Sequence, residues 1–118
     1  MTRSTLATLG ALILTAGCAA ATSPTESRDR AECKEYARTF EHSGRMRVAC
    51  LISRGYTVSY STNGGGVDVT ARAQPRPAAE TVATDLKACN DQSGLGYTGR
   101  LQFNRCMTPR GYAVRSGD

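Results

Sequence analysis

Cys50-Leu51-Ile52-Ser53-Arg54-Gly55-Tyr56-Thr57-Val58 returns at an offset of 56 as Cys106-Met107-Thr108-Pro109-Arg110-Gly111-Tyr112-Ala113-Val114. Each copy has a partner cysteine 17 residues upstream, Cys33 in the first and Cys89 in the second. Between positions 33–59 and their counterparts six identities occur: two cysteines, Arg, Gly, Tyr and Val. The chain therefore reads as two matching units, 28–60 and 78–116, within a single small disulfide-stabilised domain covering 28–118.

Working upstream from the first copy, Cys33, Tyr36, Ala37 and Phe40 fall at i, i+3, i+4 and i+7, one face of an amphipathic helix. Ser23-Pro24-Thr25-Glu26 supplies its start: a Ser cap, Pro in the first turn, and Glu placed to bond back. Ser43-Gly44 breaks the pattern, and Met46, Ala49, Cys50 and Ile52 begin a shorter second helix. Bridged cysteines need Cα atoms about 5.5 Å apart, so in an antiparallel helix pair they stand equidistant from the turn. That places the turn at Phe40 to Gly44. Gly55 and Gly111 suit the left-handed position after a helix, Tyr makes the apolar contact beyond it, and Arg54 complements the negative end of the helix dipole.

From Tyr56 the period changes to two. Tyr56, Val58 and Tyr60 alternate with small polar residues, as do Val67, Val69, Ala71 and Ala73, with Asn63-Gly64-Gly65-Gly66 between the two runs. This is a β-hairpin with one apolar face, and Tyr112 with Val114 offers a third strand. Gln74-Pro75-Arg76-Pro77 cannot continue a ladder and separates the halves. In the second unit Ala79, Val82, Ala83, Leu86 and Cys89 mark a helix, Ser93 to Gly99 a glycine-rich loop, and Leu101, Phe103 and Cys106 another helix. The fold class expected is α+β: two disulfide-pinned helical hairpins joined by a β-hairpin, with a small three-stranded antiparallel sheet if the third strand joins.

The leader places the chain. Arg3 precedes an apolar run from Leu6 to Ala16, which is shorter than the roughly 20 residues a spanning helix needs. It leads into Thr15-Ala16-Gly17-Cys18, which resembles the lipobox of bacterial lipoproteins, although Thr15 stands where that motif usually has Leu. The resemblance implies a signal peptide at 1–17, lipidation of Cys18, and a lipidated N-terminus and tether at 18–27. Ala19 after the cysteine implies an outer-membrane address facing the periplasm. Ala19-Ala20-Ala21 also offers an ordinary cleavage site after Ala21, which would discard Cys18. The ending Cys-Leu/Met-x-x-Arg-Gly-Tyr resembles that of many small proteobacterial lipoproteins, and that resemblance implies no activity.

With Cys18 set aside, four cysteines remain for pairing in an oxidising compartment. Cys33 with Cys50 and Cys89 with Cys106 is the most economical of three connectivities, and the cross-unit pairings stay open. No C-x-x-C occurs, as thiol oxidoreductases and structural zinc sites favour. Closing each loop stabilises its unit by about 3 kcal/mol, which matters in a domain with no tryptophan and 6% aromatics. The net charge is +5, and thirteen of fifteen basic residues are Arg, scattered along the chain. A nucleic-acid binder concentrates such charge on one element, so no nucleic-acid partner is expected.

Candidate chemistry is sparse. His42 is the only histidine, and beside Ser43 in a turn it lacks the geometry of a base with its nucleophile. Glu32, Glu35 and Asp91 read as helix-surface charges, and no metal motif, cofactor loop or catalytic triad is present. The expectation is a non-enzymatic envelope lipoprotein that presents a surface to an envelope protein partner, held to the membrane by its N-terminal lipid. The alternative is a periplasmic inhibitor or immunity protein against an exported hydrolase, blocking through Asn63 to Gly66 or Ser93 to Gly99.

Overall fold

The computed structural model describes residues 23–116. The expected signal peptide, Cys18 as the expected lipidation site, and the expected tether up to position 22 lie outside the described residues. Among the described residues, four helices and a three-stranded antiparallel sheet make an α+β fold, in the order α1 (Pro24–Ala37), α2 (Ser43–Ser53), β1 (Val58–Thr62), β2 (Gly65–Ala71), α3 (Ala79–Asp91), α4 (Gly96–Met107) and β3 (Tyr112–Ser116). A 3-10 turn, Thr108–Arg110, joins α4 to β3.

The local signals account for most of these boundaries. The Glu26 amide donates to Ser23 Oγ at 3.0 Å, which caps α1 with Pro24 in its first turn. Residues 24–27, assigned to the tether from sequence, thus belong to the fold. α1 ends at Ala37, so the connection is Arg38–His42 and begins before the turn placed at Phe40. Beyond α2 the Gly55 amide donates to the Ile52 carbonyl and the Tyr56 amide to the Leu51 carbonyl, with Gly55 at φ +100. These two bonds are the Schellman closure expected of a left-handed glycine.

Disulfides join Cys33 to Cys50 and Cys89 to Cys106, each with Cα atoms 5.5 Å apart, so each bridge staples one helical hairpin and none crosses between units. The sheet order is β1-β2-β3. Val58 and Val114, the last residues of the two repeated stretches, face the same central residue, Val69, from opposite sides. Their row, with Val67, Ala71 and Tyr112, backs onto Ile52, Val82, Leu86 and Phe103 to form the main core. A second cluster of Cys33, Cys50 and Leu51 sits under Tyr56 and Ala79. The opposite face of the sheet carries Thr57, Ser59, Asp68 and Thr70, tied by Ser59–Asp68 and Thr57–Thr70 side-chain bonds.

The linker runs against both glycine caps, which makes them unequal. A Cβ on Gly111 would meet the Cβ of Ala73 at 2.7 Å, and the Ala73 amide is held by the Gly111 carbonyl at 3.0 Å. A Cβ on Gly55 would meet only the Arg76 guanidinium, at 2.8 Å, the far end of an exposed side chain. Gly55→Ala is expected to cost about 1 kcal/mol from the left-handed backbone alone. Gly111→Ala adds an overpacking cost of about 1–3 kcal/mol. Thermal melts of the two variants check the order; equal losses would mean that the linker yields freely at both caps.

Candidate functional site

The repeated Arg-Gly-Tyr does more than end a helix. Arg54 Nη1 lies 2.7 Å from Asp29 Oδ1 and 2.6 Å from Glu32 Oε1, while the Tyr56 hydroxyl donates to Asp29 Oδ2 at 2.5 Å. In the second unit Arg110 Nε lies 3.4 Å from Asp85 Oδ1, and the Tyr112 hydroxyl donates to Asp85 Oδ2 at 2.8 Å. The left-handed glycine turns the chain so that the residues before and after it reach one aspartate on the preceding helix. Arg54 therefore serves carboxylates rather than only the helix dipole. Asp29 and Asp85 stand at the same offset of 56 as the rest of the repeat. Comparison begun at the cysteines misses them, although extending it four residues upstream would have found them.

These bonds set the local ionisation. Asp29 is held below the ordinary carboxylate value, first by the Tyr56 hydroxyl and then by Arg54. Tyr56 is pushed up chiefly by its bond to Asp29, whereas Tyr112 is pushed up first by burial and then by Asp85. A carboxylate whose folded value is depressed gives stability that is present above its unfolded value, near 3.8, and is lost as pH falls through the folded one. The melting-temperature gap between wild type and Asp29→Asn is expected to be open at about pH 6 and to narrow as the pH falls below 3.8. A gap constant across that range would remove the ionised Asp29 from the account.

Of the other charges singled out in the sequence, Asp91 pairs with Lys87 at 2.6 Å and Glu35 with Arg38 at 3.2 Å, both on exposed helix surface. His42 is exposed at the start of α2 and caps nothing with its side chain. Gly55 and Gly111 are structural, and the four described cysteines are consumed in bridges. Tyr36 on α1 reaches Glu80 on α3 at 2.6 Å and ties the first hairpin to the second.

The end of the fold away from the Arg-Gly-Tyr turns is different in kind. There the Asn63-Gly64 turn docks onto the connection between α3 and α4. The Asn63 amide donates to Asn90 Oδ1 at 2.8 Å, and its Nδ2 donates to the carbonyls of Asn90 at 3.1 Å and Ser93 at 3.4 Å. Arg100 Nη1 returns a bond to the Gly64 carbonyl at 2.7 Å. The approach is so close that a Cβ on Gly64 would stand 2.7 Å from both the Arg100 amide nitrogen and the Gly96 oxygen. The glycine-rich loop foreseen at Ser93 to Gly99 is shorter than expected, because Gly96 to Gly99 already form the first turn of α4. The two candidate loops are therefore one bonded knob.

From this knob Leu95 and Tyr97 project, 80% and 65% exposed, the only large apolar side chains so exposed among the described residues. The Arg100 guanidinium lies 5.9 Å from the Tyr97 ring centroid, and the cation over its face helps orient the ring. The sequence does hold Leu95 and Tyr97, but their exposure follows from the shape of the turn.

Compared with known proteins, the chain matches no protein-family model, no curated protein and no solved structure. The functional reading rests on the residues alone.

Proposed function

We propose that this protein is a lipid-anchored envelope module whose task is non-enzymatic binding, and that the knob carrying Leu95 and Tyr97 is the surface it presents. The observation that carries the reading is an exposed apolar pair on a turn held by five hydrogen-bonding and stacking contacts to its neighbours. A Tyr oriented by a neighbouring cation loses less freedom on association, and exposed Tyr is a favoured interface anchor. Orientation supports it. Asp29, in the second turn of α1, reaches Arg54 and Tyr56, so α1 starts at the Arg-Gly-Tyr end. A lipid on Cys18 would hold that end at the bilayer and leave the knob facing outwards.

The same knob supports the second reading, an inhibitor of an exported hydrolase, because both loops named for blocking meet in it. Mixing with the target separates the two: an inhibitor abolishes activity at equal stoichiometry, and a structural module leaves it intact. For the primary reading, a photo-crosslinking residue at Leu95 or Tyr97 is expected to trap a discrete partner in living cells, and one at Thr70 to trap none. The Leu95→Ser, Tyr97→Ser pair should lose that partner while its stability stays within about 0.5 kcal/mol of wild type. Equal trapping from Thr70 would count against the knob. Cys18→Ala tests the anchor, since a variant still membrane-bound and unshifted in mass rules out lipidation.

A further inference from the structure

A second surface, on the flank of the fold, has its own chemistry. Between α1, α2 and β1 lies an open groove of about 610 Å³, with Val48, Leu51 and Val58 along its floor and Arg30, Lys34 and Arg47 on its walls. Arg30 is engaged by Glu26 at 2.9 Å. Lys34 and Arg47 are exposed and have no carboxylate within 4 Å among the described residues. Both also line the adjoining cleft of about 290 Å³ between α1 and α2. The groove is thus apolar below, cationic at the sides and longer than a single small anion requires.

Its remaining wall is the outer edge of the sheet. The Arg72 amide bonds the Gly111 carbonyl, and alternation along an antiparallel ladder then makes Thr70–Ala113 and Asp68–Arg115 the bonded pairs of β2 with β3. Val69 and Val67 must turn their main-chain groups towards β1, to Val58 and Tyr60. The amides and carbonyls of Thr57, Ser59 and Ser61 are left pointing outwards, with no bonding partner among the described residues. The opposite edge is treated differently. Asn104 Nδ2 of α4 donates to the Val114 carbonyl at 3.2 Å and occupies that outward group of β3, whereas β1 keeps an edge able to accept another strand.

We infer that β1 takes an extended acidic peptide segment of another protein as a fourth strand, its main chain pairing with Ser59 and Ser61 and its carboxylates meeting Lys34 and Arg47. Strand addition draws affinity from the main chain and specificity from the side-chain surroundings. Here those surroundings select apolar residues for the floor and negative charge for the walls. A phosphate or lipid headgroup would use Lys34 and Arg47 but would leave both the apolar floor and the unpaired edge without a role.

The test is a titration of the purified full chain with a labelled short peptide of alternating Val and Glu, its Lys-for-Glu counterpart, and a version N-methylated at alternate residues. The acidic peptide is expected to bind, with an affinity that falls as salt rises. The Lys34→Glu, Arg47→Glu pair should weaken it at least about tenfold with an unchanged melting temperature, while Leu95→Ser should leave it alone. In the complex the Ser59 and Ser61 amides should become slow to exchange with solvent. Equal binding of the N-methylated peptide, or no new protection at Ser59 and Ser61, would overturn strand addition. Binding of anionic phospholipid vesicles in place of the peptide, lost in the same charge-reversal pair, would make the groove a headgroup site and equally sink the proposal.

Discussion

Replacing Cys33 and Cys50 together with Ala should lower stability by about 3 kcal/mol, and the matching Cys89, Cys106 pair by a similar amount, because each bridge closes a loop of the same length. Domains hold about 5–15 kcal/mol in total, so loss of both bridges removes from about two-fifths to all of it. The two losses should differ in form. α1 packs principally on α2, whereas α3 packs on both α2 and α4, and α4 also rests on β2 and β3. Without Cys33–Cys50, α1 is left with Ala37 in the core, the Asp29 brace and the Tyr36–Glu80 bond. Amide exchange along Pro24–Ala37 should then quicken ahead of global unfolding. Without Cys89–Cys106 the whole domain should melt earlier as one unit. Exchange and thermal melts under non-reducing conditions read both effects, and a wild-type melt indifferent to reductant would refute the dependence.

Gly99→Ala should be the most damaging change in the knob, with a cost of about 1–3 kcal/mol or more. A Cβ there runs into the Gly94 carbonyl and comes within 3.4 Å of Gly64 Cα. The carbonyl is main chain and cannot rotate away, so the Gly94-Leu95 connection must shift off the first turn of α4, whereas Gly64 Cα at 3.4 Å is at ordinary contact. The partner trapped through Leu95 and Tyr97 should be lost along with the stability. Gly94→Ala is the internal control, since its nearest neighbour is Gln102 Oε1 at an ordinary 3.5 Å. A Gly99→Ala protein that melts and binds like wild type would show that the Gly94 connection yields freely.

Where expectation and structure diverge, the reason is usually distance along the chain. Phe40 has the right spacing for the apolar face of α1, yet the helix stops at Ala37 and Phe40 instead packs in the turn, 5.2 Å from the Tyr36 ring. Pro109 shortens α4, so Gly111 follows a 3-10 turn where Gly55 follows an α-helix. Tyr56 and Tyr112 occupy equivalent places, but only Tyr112 is fully buried, because it pairs in the sheet opposite Ala71. The sequence points Arg54 only to the helix dipole, because its carboxylate partners lie 22 and 25 residues away, beyond any local pattern.

The sequence by itself determined whatever depends on near neighbours: four amphipathic helices, the Ser23 cap, the left-handed glycines, the alternating strands, and the cysteine spacing that suits a bridged hairpin. Each follows from a period of 3.6 or 2 or from the backbone demands of one residue. Tertiary structure alone decided that the bridges stay within units, that Asp29 and Asp85 brace the repeated turns, and that Asn63 seats on Asn90 to thrust out Leu95 and Tyr97. It also decided that Asn104 bonds an outward carbonyl of β3 while β1 stays open beside Lys34 and Arg47. These contacts join residues 10 to 30 positions apart, and their formation depends on which elements the common core brings side by side.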